Sequence, residues 1–134
     1  SDRPYSGDAE TNRKAAENLG VPMRTYGGDL HAFKEAIGEA KMIVDCIFGI
    51  GLNRPITEPI KSAIHAVNQS TLQILSCDIP SGIDADTGET LGVAVIADHT
   101  ITFHAMKKGL VGFSHVQVAD IGILGFYPID GDEK

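Results

Sequence analysis

The sequence predicts an α/β protein with a mostly parallel sheet. Apolar runs of strand length alternate with amphipathic segments of helical period, which is the pattern of parallel βαβ units. The 134 residues, 43% of them apolar, suffice for one domain with one core. One core strand leads directly into Asp78, Pro80 and Ser81. This places polar atoms at the carboxyl edge of the sheet, where open α/β sheets bind ligands.

The first elements are weaker than those that follow. The segment 8–19 predicts a helix with a thin apolar face, and Gly20 stands where helices often end. Residues 21–26 are interpreted as a short strand. Asp29 is a suitable N-cap for a helix whose apolar side chains repeat at helical spacing, namely Leu30, Phe33, Ile37 and Ala40.

The later elements are strongly patterned. Residues 41–48 predict a buried strand, and a glycine-rich turn follows it at 49–52. Residues 57–59 begin a helix, since proline is tolerated in the first turn. Its core stripe is Ile60, Ala63, Ile64 and Val67. Strands are predicted at 72–79, 99–103 and 116–123, and residues 125–134 are predicted to be a mobile tail.

Composition narrows the function classes. The net charge is −7, with no run of more than two basic residues, which argues against a nucleic-acid or anionic-membrane surface. Cys46 and Cys77 are interpreted as buried thiols of a reducing compartment, although neighbouring strands would also permit a disulfide. No apolar run approaches the ~20 residues of a membrane span. We expect a cytoplasmic enzyme or binding domain, or a mitochondrial one if the source is eukaryotic.

Two features follow the strand at 41–48. Asp45 is the only charge inside that strand, and burying a carboxylate is costly unless it is paired, hydrogen-bonded or bound to a cation. Hydrogen bonding to the backbone explains it as well as a ligand does. The turn Gly49-x-Gly51-x-x-Arg54 lets backbone amides approach a phosphate, but an ordinary strand-to-helix turn has the same glycines.

The segment after the next strand favours chemistry more strongly. Asp78 is a candidate general acid or base, and Ser81 offers a hydroxyl to a ligand or a hard cation. Asp84 and Asp86 lack the spacing of a calcium loop and are interpreted as a solvated turn. Spacing does not choose between a surface role and a site role for Lys107 and its neighbour. The five histidines show no ligand spacing.

Five segments together carry a family resemblance. They are VDCIFGIGLNRP at 44–55, CDIPSGIDADTG at 77–88, ADHTITF at 97–103, KKGL at 107–110 and VADIGI at 118–123. In this order they resemble the YjeF N-terminal domain family, the NAD(P)H-hydrate epimerases. The resemblance implies a Rossmann-like three-layer α/β/α sandwich. It also implies epimerisation of the R and S forms of NADHX and NADPHX, as part of nicotinamide cofactor repair.

The resemblance also implies roles for individual residues. Asp45 and Ser81 match the ligands of one potassium ion. Asp78 matches the substrate-contacting, catalytic aspartate, and Lys107 takes a supporting catalytic role. The substrate-binding segment corresponds to Gly49, Ile50, Gly51, Leu52, Asn53, Arg54 and Pro55. The family further implies a homodimer and a partner dehydratase, fused in many bacteria.

One family motif has no counterpart in these residues. The Asn-Asn-Gly-Gly-Asp phosphate loop, with the first strand that precedes it, is not found in the sequence. We therefore expect residues 1–134 to be the C-terminal portion of a single domain, active only when the upstream part is supplied. The alternative function is a non-catalytic binding or dimerisation module of the same fold. A nucleotide-binding domain for another metabolite is a third option.

Overall fold

The computed structural model describes residues 6–123, which form a parallel sheet with helices. The strands run in the order β1-β2-β3-β4, and every neighbouring pair is parallel. The predicted α/β fold with a parallel sheet is confirmed. The helices are α1 (Gly7–Asn18), α2 (Leu30–Glu39), α3 (Ile60–Asn68) and a short 3₁₀ helix (Lys108–Leu110). The strands are β1 (Met42–Asp45), β2 (Gln73–Cys77), β3 (His99–Phe103) and β4 (Val116–Ala119).

The two faces of the sheet are covered differently. In parallel strands, residues in register lie on the same face, and successive residues alternate between faces. Asp45 is in register with Ser76, and both are buried. On the opposite face, β1 carries Met42 and Val44, which are 47% and 52% exposed. The described residues therefore build their core on one face of the sheet.

That core is formed by α2, α3 and the sheet. Ile64 of α3 is completely buried and packs in one cluster with Ile74 of β2. Phe33 and Ile37 of α2 contact the same cluster, so both helices lie on the same face. Burial of a side chain such as Ile64 contributes about 1.5–3 kcal/mol. The predicted core stripe of α3 is confirmed. In α2 only Phe33 and Ile37 of the predicted stripe pack against the core, and Ala40 lies beyond the end of the helix, where the backbone is extended.

Helix ends follow the expected chemistry. The carboxylate of Asp29 accepts a hydrogen bond from the backbone N–H of Ala32 at 3.1 Å, which is the predicted N-cap of α2. Gly20 follows α1 at φ 74°, the left-handed conformation that ends many helices. Helix α1 itself has no buried residue. None of the three α-helices described combines the length and hydropathy that a membrane span requires.

The connection from β2 to β3 contains no helix and is held by close backbone contacts. A Cβ atom on Gly82, whose φ is 98°, would lie 2.0 Å from the carbonyl oxygen of Val93. A Cβ atom on Gly109 would lie 2.2 Å from the carbonyl oxygen of Asp84. Ile83 and Thr90 form an antiparallel bridge within the same loop. Only glycine permits these two contacts, which fix the loop that carries Ser81.

Several sequence predictions need correction. The segment 21–26 is not a strand, because within the described residues it pairs with no other strand. The strand predicted at 41–48 is only Met42–Asp45, and Cys46 beyond it is exposed rather than buried. Strand β4 ends at Ala119 because its partner β3 stops at Phe103, where His104 turns at φ 70°. The predicted mobile tail at 125–134 lies outside the described residues.

Candidate functional site

The candidate site lies at the carboxyl edge of the sheet. Asp45 is the last residue of β1, and Asp78 directly follows β2. Lys107 lies in the turn after β3. Because parallel strands bring their carboxyl ends to one edge, side chains distant in sequence meet there.

Asp45 is the centre of a buried hydrogen-bond cluster. Only 3% of the residue is exposed. Its Oδ2 accepts hydrogen bonds from the Ser76 hydroxyl and the Ser81 backbone N–H, each at 2.8 Å. Its Oδ1 accepts from the Ser81 hydroxyl at 2.6 Å and from the Ile47 N–H at 3.3 Å. Four hydrogen-bond donors thus satisfy the buried carboxylate. Two of them are backbone N–H groups, as the hydrogen-bonding alternative for Asp45 predicted, and two are serine hydroxyls.

Ser81 links this cluster to the glycine-rich loop. Besides donating to Asp45, its Oγ accepts a hydrogen bond from the backbone N–H of Phe48 at 2.9 Å. Phe48 directly precedes Gly49, the first residue of the loop. The cluster therefore fixes the start of the loop relative to the segment that carries Asp78.

Asp78 has a different environment. Its backbone lies at φ 68°, an uncommon conformation for a residue other than glycine. Its Oδ1 accepts hydrogen bonds from Lys107 Nζ at 2.6 Å, from the Phe103 N–H at 3.1 Å and from the Thr102 hydroxyl at 3.2 Å. About a fifth of each side chain of the Asp78–Lys107 pair stays accessible, at 23% and 18%. The pair is thus firmly held and still open to a ligand.

The electrostatics keep Asp78 ionised. Burial opposes ionisation, but the hydrogen bonds from Lys107, Phe103 and Thr102 outweigh it and hold the pKa of Asp78 below its usual 3.8. Lys107 is oriented by its other contacts, since Nζ also donates to the carbonyl of Phe103 at 2.7 Å and to that of Ala105 at 3.3 Å. The structure thus distinguishes Lys107 from the exposed Lys108, which the sequence did not.

The predicted substrate-binding loop lines an open cavity. Residues of the segment 47–60 surround a volume of about 800 Å³, and Arg54 in it is exposed. A second cavity, of about 640 Å³, lies beside α3 and has no carboxylate or lysine among its lining residues. We associate the loop cavity with the site, because it adjoins the Asp45 cluster through Phe48 and Ser81.

The predicted potassium ligands can be tested against their donor chemistry. Asp45 and Ser81 are in direct contact, and the Phe48 carbonyl lies 3.3 Å from the Ser81 hydroxyl. Carboxylate, hydroxyl and carbonyl oxygens are the ligands that hard cations take. In this structure the Asp45 and Ser81 side chains hydrogen-bond each other. Within residues 6–123, no group of three or more His, Cys, Asp or Glu residues could hold a metal. The donor set therefore fits potassium in kind but forms only part of a coordination shell.

Two residues of the site were missed by the sequence reasoning. Ser76 and Thr102 are completely buried and hydrogen-bond Asp45 and Asp78 respectively. Each hydroxyl residue lies inside a strand, on the face that packs against the core. A hydroxyl residue inside a predicted buried strand was the available indication for Ser76 and Thr102. The carboxylate that each one contacts depends on strand register, which a single sequence does not give.

The other candidate features play no part in this cluster. Asp84 accepts hydrogen bonds from the backbone N–H groups of Asp86 and Thr87, each at 2.9 Å, so this segment is the expected turn and not a calcium loop. His99 and His115 contact each other edge to face, with ring centroids 5.3 Å apart. Cys46 and Cys77 are free thiols.

Comparison with known proteins agrees with the family resemblance. The family model of the YjeF-related protein N-terminus matches residues 1–109. The NAD(P)H-hydrate epimerase of Levilactobacillus brevis is 48% identical over 93 residues, which cover 65% of this chain and 43% of that protein. The enzyme of the same name from Oenococcus oeni is 36% identical over 124 residues, covering 88% of this chain and 56% of that protein.

Two further relatives extend the comparison. The bifunctional NAD(P)H-hydrate repair enzyme Nnr of Thermofilum pendens is 47% identical over 68 residues, covering 51% of this chain and 13% of that protein. The crystal structure of yeast YNL200c has the same fold, with a TM-score of 0.62 and 24% identity, over 86% of this chain and 49% of that one.

The chain spans about half the length of the curated relatives it matches most extensively, from 43% to 56% of each. The family match nevertheless covers most of the sequence and includes every residue of the candidate site. The chain therefore belongs to the family of YjeF-related protein N-termini.

Proposed function

We propose that this chain carries the catalytic edge of an NAD(P)H-hydrate epimerase. The observation that carries the proposal is the Asp78–Lys107 pair, held at 2.6 Å and still accessible at the carboxyl edge of the sheet. Relatives up to 48% identical bear the name of this enzyme. The substrate class is hydrated NADH or NADPH, whose phosphates would contact the loop 49–55.

The reaction inverts the ring carbon that carries the hydroxyl group. In one route a proton from solvent is transferred to the hydroxyl, which leaves as water, and the positive charge of the resulting cation is shared with the ring nitrogen. Water then adds to the opposite face and gives up one proton. One water and one proton are therefore exchanged, with no net gain or loss of either. In the other route the ring opens and closes again. Both routes need a base, and the first also benefits from a negative charge beside the cation.

Asp78 suits the role of base and electrostatic stabiliser. Its pKa lies below 3.8, so at neutral pH the carboxylate is ionised and can accept a proton but has none to donate. Lys107 holds that carboxylate in place through a hydrogen bond to Oδ1. We assign proton abstraction to Asp78 and orientation of its carboxylate to Lys107.

We also propose that Asp45 and Ser81 contribute to one potassium site. The Asp45 carboxylate, the Ser81 hydroxyl and the Phe48 carbonyl would hold the ion. A bound potassium ion supplies positive charge close to the phosphate-binding loop. Ser81 would then retain its second function, which is to fix the start of that loop through the Phe48 N–H.

The partners of the reaction follow from the same proposal. Epimerisation yields the S form for a dehydratase, and a relative in Thermofilum pendens is named as a bifunctional repair enzyme. We propose that such a dehydratase, fused or separate, consumes the product. We further propose a homodimer, which analytical ultracentrifugation of the purified protein would test.

The central experiment measures interconversion of the two epimers. Purified R-NADHX is incubated with the 134-residue chain, or with a protein in which an upstream segment from a relative adds the Asn-Asn-Gly-Gly-Asp loop. Chromatography then follows the appearance of the S form above the rate without protein. We expect interconversion by the extended protein and none by the chain alone. If the extended protein folds but leaves the R form unchanged, the non-catalytic binding module replaces the enzyme.

A further inference from the structure

The two cysteines of the chain are neighbours across β1 and β2. The last pair in register is Asp45 with Ser76, and a cysteine follows each of them: Cys77 is the last residue of β2, and Cys46 lies one residue beyond β1. Adjacent strands lie about 4.8 Å apart, and a disulfide spans Cα atoms roughly 4.4–6.8 Å apart. Cys46 and Cys77 are therefore placed at a separation that a disulfide can close.

The thiols also interact directly. The Cys77 thiol lies close enough to act on the Cys46 thiol, since it is one of the causes, after partial burial, that raise the pKa of Cys46. Both thiols are free, and Cys46 is exposed while Cys77 is partly buried. The exposed Cys46 sulfur can therefore be reached by a small disulfide, and the neighbouring Cys77 sulfur is the group that could close the bond.

We propose that Cys46 and Cys77 form a dithiol site that small-molecule disulfides oxidise to an intramolecular disulfide. Cys46 first attacks the small disulfide as a thiolate, forms a mixed disulfide and releases one small thiol. The Cys77 thiolate then attacks the Cys46 sulfur and releases the second small thiol. Two protein thiols are oxidised, one small disulfide is reduced to two thiols, and all atoms balance.

The position of the dithiol links it to the candidate site. Cys46 directly follows Asp45, and Cys77 directly precedes Asp78. Closing the bond would constrain both residues, because each carboxylate is one peptide bond away from a bridged cysteine. The reaction itself rests on the register and the free thiols and does not require the proposed epimerase activity.

The experiment uses oxidised glutathione as the probe. The folded protein is incubated with it at mildly alkaline pH, because the raised pKa of Cys46 slows exchange at lower pH. Remaining thiols are alkylated, and trypsin then separates the two cysteines into peptides 42–61 and 62–107. The bond after Arg54 resists cleavage because Pro55 follows it. We expect these two peptides to be joined, with the loss of two hydrogen atoms.

Matched controls show whether the fold brings the thiols together. The variants Cys46→Ser and Cys77→Ser should each stop at a mixed disulfide with glutathione. In the wild type, the equilibrium constant for ring closure should be at least about tenfold larger in buffer than in denaturant, a difference set by the fold. Equal constants, or glutathione retained on both cysteines without joined peptides, would overturn the proposal. The wild-type comparison holds even if a variant fails to fold.

Discussion

Asp45 and Asp78 end neighbouring strands of one sheet, yet their surroundings are opposite. Asp45 is buried, and all four of its hydrogen bonds come from uncharged groups. Asp78 retains some exposure and is paired with a lysine. The first carboxylate is fully used inside the protein, whereas the second keeps part of its surface for a ligand.

The difference shows that the two carboxylates divide structure and chemistry between them. A buried charge surrounded by donors fixes the backbone around it, since losing it leaves those donors unpaired. A partly open carboxylate with a lowered pKa stays ionised over a wide pH range and can stabilise positive charge on a ligand. The predictions below test this division.

The largest effect is expected for Asp78→Asn in a protein able to epimerise NADHX. Loss of a positioned base typically costs about 10²–10⁴-fold in rate, so the turnover number should fall by that much. The free energy of unfolding should change by less than about 1 kcal/mol, since the amide replaces a partly exposed group. Chromatographic epimerase assays and urea titrations measure the two quantities.

The matched control for Asp78→Asn is Asp86→Asn, in the exposed turn of the same loop. That variant should leave both rate and stability unchanged. Full activity of Asp78→Asn would remove Asp78 from the mechanism and remove the chemical half of the comparison.

Asp45→Ala should lower the free energy of unfolding much more than Asp78→Asn does. It leaves the buried hydroxyls of Ser76 and Ser81 without their acceptor, in addition to the Ser81 N–H. Each buried donor left unpaired costs about 1–3 kcal/mol, so the three together should cost about 3 kcal/mol or more. The urea midpoint should fall accordingly, with an unchanged slope. A loss smaller than about 1 kcal/mol would contradict the structural role of Asp45.

Lys107→Met should affect pH dependence more than stability. Without the lysine, the pKa of Asp78 rises, so the carboxylate is protonated at a higher pH. The acid limb of the epimerase rate profile should therefore move to higher pH. The rate at neutral pH should also fall by about tenfold, because the carboxylate loses the group that orients it. Lys108→Met, in the exposed neighbour, is the control and should leave the profile in place.

The lowered pKa of Asp78 also determines how the free energy of unfolding depends on pH. Since folding lowers the pKa of Asp78, its favourable contribution is present above the unfolded value of 3.8 and is lost as the pH falls through the folded value. The stability difference between Lys107→Met and the wild type should consequently narrow below pH 3.8. If the difference in unfolding free energy stays constant below pH 3.8, the Asp78–Lys107 pair is not its cause.

The smallest effect is expected for Ser76→Ala. The change removes one hydroxyl donor of Asp45 and leaves the other three in place. A hydrogen bond to a charged group contributes about 1.5–3 kcal/mol, and the alanine methyl recovers part of the packing. We expect a loss of about 1–2 kcal/mol by urea unfolding, with no change in epimerase rate at saturating substrate.

The sequence predicted the strongly patterned part of the molecule well. Helices α2 and α3 and strands β1, β2 and β3 were all found, because their apolar periodicity reflects the face that they bury. The prediction of a strand at 21–26 was wrong because a strand needs a partner strand, and local composition does not show whether a partner exists. Strand β4 was predicted too long for the related reason that its partner ends first.

The site was predictable in its acidic residues but not in its geometry. Asp78 was evident from its position at the end of a predicted strand and Asp45 as the only charge inside one, and the family resemblance assigned both of them roles. The hydroxyls of Ser76 and Thr102 were not, because register and not sequence spacing brings them to the carboxylates. Residue spacing did not separate Lys107 from Lys108; the family resemblance favoured Lys107, and in the structure Lys107 contacts Asp78.

The contacts of Gly82 and Gly109 have a consequence for how this family can diverge. Both glycines meet backbone atoms and no part of the candidate site, so they are required by the path of the chain whatever its chemistry. A descendant can replace Asp78 and keep its shape, but it cannot replace these glycines cheaply. Relatives that retain the two glycines and have lost the aspartate should therefore be folded proteins released from catalysis. The pattern distinguishes inherited architecture from inherited activity at the level of single positions.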